Sequence, residues 1–157
     1  YIPRPMLAQW KQARAGLQSD PSYDAGRARR YGALRAKLIK ALNDESAGLL
    51  LGSDAPQLFN VPGFSLHHEL RYLVDAGLTP FEALATGTSN VSRFLGTPDD
   101  FGTVAVGRRA DLVLLVANPL ADVGNAARRV GVMVGGRWLP ESKIEAGLAE
   151  IAARYAE

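Results

Sequence analysis

One carboxylate occupies a position suited to chemistry. Asp54 closes the stretch Ala47-Gly48-Leu49-Leu50-Leu51-Gly52-Ser53, a short apolar run without alternation that reads as a strand buried on both faces of a parallel sheet. An acid at the carboxyl end of such a strand stands where barrel enzymes keep their reactive groups. There it can bind a metal ion or accept a proton from metal-bound water. The small residues before it admit other groups, and Pro56 stiffens the exit. Aspartate also closes turns very often, so spacing alone leaves both roles open. The two histidines, His67 and His68, are adjacent. Neighbours on a helix project about 100° apart, which keeps them from gripping one ion together. Each is either a packed or surface helical histidine or a group near the mouth of the strand that faces substrate or supports a ligand.

Other chemistries are excluded by what the sequence lacks. It has no glycine-rich phosphate loop before a helix and no Gly-x-Ser-x-Gly nucleophile elbow. It has no cysteine, which removes disulfides and thiolate metal cages and leaves histidine, carboxylate and lysine as possible ligands.

The elements that must position Asp54 follow from periodicity. Leu7, Trp10, Ala13 and Leu17 predict a helix over 5–18, stopped by Ser19-Asp20-Pro21. Tyr31, Leu34, Leu38 and Leu42 predict a second over 24–43, with one apolar stripe. Its six bases, Arg27, Arg29, Arg30, Arg35, Lys37 and Lys40, read as a solvated face, because basic helix faces are common and no series of aromatic residues alternates with them as nucleic-acid stacking needs. After a glycine-proline loop, Ser65 is the expected cap of a helix that carries Leu66, Leu70, Leu73 and Val74 and ends at Gly77. Thr79-Pro80-Phe81-Glu82 is a capping box that opens the next helix, and 88–95 forms another, closed by Gly96. Beyond 97–100 the composition shifts to valine and glycine, and a boundary is placed there. Strands are expected over 103–106 and 111–116, then a hairpin of 130–134 and 137–139 turning at Gly135-Gly136. Ser142-Lys143-Ile144-Glu145 reads as a second capping box, opening a last helix with Ile144, Leu148, Ile151 and Tyr155 aligned.

With 157 residues and 47% hydrophobic content, the chain is long enough for one domain with a sizeable core. Eighteen bases against sixteen acids give a net charge of +2, too shallow an excess to favour nucleic acid. No stretch approaches the roughly 18 consecutive apolar residues of a membrane span, so a cytoplasmic protein is expected, subject to a leader preceding Tyr1. The opening Tyr1-Ile2-Pro3-Arg4-Pro5 reads as the middle of a loop.

Three motifs carry a resemblance to the C-terminal portion of the amidohydrolase superfamily, on its imidazolonepropionase-like and metal-dependent dipeptidase branch. Leu49-Leu50-Leu51-Gly52-Ser53-Asp54-Ala55 resembles the last barrel strand with its acid. Ser65-Leu66-His67-His68-Glu69-Leu70, followed by Ala76-Gly77-Leu78-Thr79-Pro80-Phe81-Glu82-Ala83-Leu84, resembles the helices after it. Phe101-Gly102-Thr103-Val104-Ala105-Val106-Gly107-Arg108-Arg109-Ala110-Asp111-Leu112-Val113-Leu114-Leu115 is the most specific, and is similar to the passage from barrel to small β-sandwich. The likeness covers 48–139, and the helix before it fits the last-but-one barrel helix.

The resemblance implies an α/β fold: the C-terminal part of a (β/α)8 TIM barrel over 1–98, part of a composite β-sandwich over 99–140, and a C-terminal helix over 141–157, incomplete on its own. It implies hydrolysis of a small amide or dipeptide-like substrate by water activated on one or two divalent metal ions, zinc foremost. Asp54 matches the strand-eight aspartate that ligates the metal and shuttles the proton. Asp111, in the Ala-Asp-Leu motif, is read as structural. Asn60 and Phe64 are the candidates for lining the substrate pocket. The family's His-x-His pair and further histidine ligands have no counterpart here, and a whole barrel takes about 250 residues. A terminal piece of a longer enzyme is therefore expected, partnered by the missing N-terminal part. The alternative is a non-catalytic interaction module, which would bury its open edges against another subunit or by self-association.

Overall fold

The computed structural model describes residues 1–155. Helix α1 (Arg4–Ser19) starts with proline in its first turn and buries Trp10, whose ring lies 5.7 Å from that of Phe59. Helix α2 (Ala25–Asp44) is capped by Asp24, whose carboxylate accepts from the backbone N–H groups of Gly26 and Arg27 at 2.7 and 3.0 Å. The expected stripe is present, but this chain does not cover it. Tyr31, Leu34 and Leu38 are each more than half exposed, while Ile39, on an adjoining face, reaches the core.

That core lies under α3 (Ser65–Asp75) and α4 (Pro80–Thr86), and α5 (Ser89–Phe94) packs on α4. Leu70, Leu73, Leu78 and Ala83 form a buried cluster with Val123, and Leu49 and Leu51 pack against it. The capping box at Thr79 forms in full. The Thr79 hydroxyl accepts from the Glu82 N–H at 3.2 Å, and the Glu82 carboxylate accepts from the Thr79 N–H at 2.7 Å. Ser65 is not the cap of α3. A turn over 61–64 runs straight into the helix, Ser65 donates its own N–H to the Val61 carbonyl, and Phe64 occupies the cap position.

Beyond α5 the chain builds a small antiparallel sheet from β1 (Leu112–Leu115), β2 (Arg129–Val134) and β3 (Arg137–Pro140), in the order β1-β2-β3. Val113 pairs with Val132, which pairs with Leu139. The hairpin turns at Gly135 and Gly136, both at positive φ (54° and 81°), as a two-residue loop between twisted strands requires. Trp138 lies over Gly131, where a side chain would collide with its ring. A short 3-10 turn over Val123–Ala127 inserts Val123 among the leucines of α3, so residues on both sides of the expected boundary share one core. Helix α6 (Glu141–Arg154) follows β3 directly.

Three expectations are corrected. Residues 47–51 belong to no sheet, because a parallel strand needs neighbours and the described residues supply none. Residues 103–106 are not a strand. Val104 and Val106 are almost wholly exposed, with no ladder to join. The second capping box does not form, since Pro140 is the cap of α6 and Ser142 already lies inside the first turn. The molecule is a mixed α/β chain in which helices dominate and one small antiparallel sheet closes the C-terminal third.

Asp111 ties the sheet together. Its carboxylate accepts from the Gly135 N–H at 2.7 Å and from Arg109 Nε at 2.5 Å, while Ala110 accepts from the Gly136 N–H at 3.0 Å. The Gly135 N–H foremost, and then Arg109, hold the Asp111 carboxyl below its ordinary range. A folded-state pKa lowered in this way contributes stability above the unfolded value of about 3.9, and that stability is lost as pH falls through the folded value. Asp111→Asn is therefore expected to lower the urea midpoint at neutral pH, with the gap to the parent chain narrowing as pH falls below about 3.9. A gap independent of pH would contradict this role.

Candidate functional site

The segment that carries Asp54 is fastened at alternate residues. The Leu49 carbonyl accepts from Asn90 Nδ2 at 2.9 Å, and the Leu51 N–H donates to the Thr86 carbonyl at 3.0 Å. Asn90 is itself held by Arg93, which donates to its Oδ1 at 2.9 Å. The corner between α4 and α5 thus grips the segment, while the side chains of Leu49 and Leu51 enter the core below. Leu51 closes against Gly87, where a Cβ would come within 2.8 Å of its Cδ2.

At the end of this segment Asp54 takes a left-handed conformation with φ 53°, which aspartate tolerates better than most residues. It is exposed. One carboxylate oxygen accepts from the Gln57 side-chain amide, and among the described residues the other has no partner. Asn60 closes the loop behind it. Its backbone N–H donates to the Gln57 carbonyl at 2.7 Å, and its side-chain amide donates to the Ser53 carbonyl at 2.7 Å. Phe64 lies apart from Asp54 in its contacts, stacked on Tyr1 with ring centroids 4.8 Å apart.

The structure therefore brings Asp54 together with Asn60 through a short tied loop, and it engages the Asn60 amide with backbone. Gln57, Asn90 and Arg93 were not singled out by sequence patterning. Each is an isolated polar residue with no periodic or motif signal, and the Leu49 partner of Asn90 is set by tertiary packing. His68 is exposed, while His67 is half-buried with its Nδ1 shut from solvent and unpartnered. Burial, followed by the nearby charges of Arg129, Arg71 and His68, pushes the His67 pKa below its ordinary value, so the ring is neutral at pH 7.

Among the described residues no three His, Asp or Glu side chains come close enough to hold a metal ion. An exposed carboxylate with one oxygen uncommitted fits a single coordination position, and His67 and His68 add none beside it. The arrangement is that of an α/β chain presenting one acid at the carboxyl end of a core-anchored segment. A model of the Amidohydrolase family matches residues 29–139, and the chain belongs to that family.

Among solved structures, bottromycin amidohydrolase superposes with a TM-score of 0.71 and 28% identity, covering 94% of this chain and 32% of its own. A Bifidobacterium longum protein assigned as a prolidase superposes with a TM-score of 0.59 and 30% identity, over 71% of this chain and 29% of its own. This chain thus spans about a third of the length of these relatives. No curated protein matches it.

Proposed function

We propose that this chain forms the closing part of a (β/α)8 barrel hydrolase that cleaves a small amide or dipeptide-like C–N bond, with Asp54 as the one metal ligand and proton carrier it contributes. The observation that carries the reading is the state of residues 47–54. They form a largely apolar, core-anchored segment that lacks strand neighbours and ends in an exposed carboxylate. The amide-type bond is supported by family membership and by the names of the two superposed relatives. In this reading that segment is the last barrel strand, α2 and α3 are barrel helices, and the sheet is one portion of a β-sandwich.

A divalent metal, zinc in the first place, would supply an activated water. The chain's own residues do the rest. Asp54 would hold the metal through its uncommitted oxygen and would accept the proton of the attacking water. Gln57 holds the other oxygen in orientation. Asn60 fixes the loop at Ser53, so that the carboxylate stays at the strand end. The missing partner is the N-terminal part of the same enzyme, and the open stripe of Tyr31, Leu34 and Leu38 on α2 is where its strands would pack. Among the described residues no helix is long and apolar enough to cross a membrane.

The coding sequence upstream of Tyr1 provides the test. An unbroken frame carrying a His-x-His pair is expected, and the protein it encodes should hydrolyse dipeptide-like amides only with divalent metal bound. A start codon within a few residues of Tyr1, or a full-length product without amidase activity on any metal, would overturn the reading and favour a non-catalytic module.

A further inference from the structure

A cleft of about 540 Å³ separates the first turn of α3 from the sheet and α6. Its walls all come from this chain, and Asp54 is not among them. Val113 and Val132, cross-strand partners on one face of the sheet, form one side, and Ile144 and Leu148 of α6 form another. Phe64 stands at the helix end. The volume lies within the range of about 300–1,000 Å³ typical of small-molecule sites, which pair apolar walls with a few convergent polar groups.

Two such groups are present. Arg129, at the start of β2, has a side chain only 25% exposed and donates through Nη2 to Glu145 Oε1 at 2.6 Å. A guanidinium has five N–H donors, so this pair leaves most of the fork unengaged, and Glu145 itself is 56% exposed and easily displaced. His67 lines the same cleft with a buried Nδ1 that has no partner. The neutral ring is best protonated on Nε2, because a buried N–H without an acceptor is the costlier alternative. The cleft therefore combines one cation in a low-dielectric setting, a neutral hydrogen-bonding ring and aliphatic walls.

We propose that this cleft binds a small monocarboxylate with a compact apolar body, its carboxylate on the Arg129 fork and its hydrocarbon between the sheet valines and α6. The Arg129 fork matches a carboxylate bidentately, which no alcohol or amine reproduces. Glu145 is a built-in competitor, and its removal should open the site. A protein segment or a second copy laid in the cleft would meet the same donors through a carbonyl or side-chain carboxylate, and failure of the free acid to bind is the outcome that favours it.

Calorimetric titration of the full-length protein that contains this chain with 4-phenylbutyrate, 4-phenylbutanol and 4-phenylbutylamine tests the proposal. The acid is expected to bind at least about tenfold more tightly than the alcohol, and the amine not at all. Arg129→Gln should abolish the preference for the acid, Glu145→Gln should tighten acid binding several-fold, and Leu148→Trp should block it by filling the cleft. Should Arg129→Gln fail to fold, Glu145→Gln, a change at an exposed side chain, carries the test by itself. Equal affinity for acid and alcohol, no binding of the acid at millimolar concentration, or acid binding unmoved by Glu145→Gln and Leu148→Trp would each overturn the proposal. Turnover plays no part in this readout, so the cleft and the amidohydrolase reading can fail independently.

Discussion

Asp54→Asn in the full-length enzyme should lower kcat by about two to four orders of magnitude, the range in which a positioned acid–base group contributes. The substitution is chosen for what it leaves alone. Asparagine, like aspartate, adopts the left-handed backbone conformation that φ 53° requires, and its amide oxygen still accepts from Gln57. The side chain is exposed and anchors no part of the core, so the unfolding midpoint should stay within the roughly 0.5 kcal/mol scatter of ordinary surface changes. What disappears is the negative charge and the ability to take a proton. Metal content should fall as well, because a neutral amide is a poorer ligand than a carboxylate. A variant with near-parental kcat and full metal would remove Asp54 from the chemistry. Asp54→Ala is the weaker experiment, since it adds backbone strain to the loss of charge.

How much of this was legible in the sequence depends on whether the determinants are local. The helix stripes of α2 and α3 and the capping box at Thr79 are set by residues within a turn of one another, and they appear as expected. The Gly135-Gly136 hairpin is local in the same sense. Ser65 and Ser142 carry the same cap-forming chemistry as Thr79, yet neither caps. In each case the chain entering the helix comes from a preceding turn or strand that places the cap one or two residues earlier. The run 47–51 shows the opposite limit. Its composition reads as a strand, but a strand is a relation between segments, and the hydrogen bonds that would make it one have no partners among the described residues. Asp54 was legible because the end of an apolar run is a local landmark. Asn90, which holds the segment, was not, because its partner lies 41 residues away and is chosen by packing, and Gln57, only three residues from Asp54, belongs to no cap or periodic pattern.

Gly102→Ala should be the most damaging single-methyl change in the passage from helices to sheet, costing about 2–5 kcal/mol. Two independent penalties meet at this residue. Its φ of 88° lies in the region where an L side chain is strained, worth about 1–2 kcal/mol. A Cβ built there would also lie 2.7 Å from the Thr88 carbonyl oxygen and 3.0 Å from Ser92 Oγ. Neither neighbour can yield easily. The Thr88 carbonyl is backbone at the start of α5 and accepts from the Val91 N–H, while Ser92 is 2% exposed with its hydroxyl donating to the Ser89 carbonyl. Overpacking of this kind adds about 1–3 kcal/mol. Gly107 provides the control, since its φ of 85° is nearly the same but a Cβ there meets nothing within 4 Å. Gly107→Ala should therefore cost only the backbone share. Urea unfolding of the two variants beside the parent chain separates strain from collision. Equal losses would mean that the chain relaxes around Gly102, and that close packing of this passage on α5 is not what sets its path toward β1.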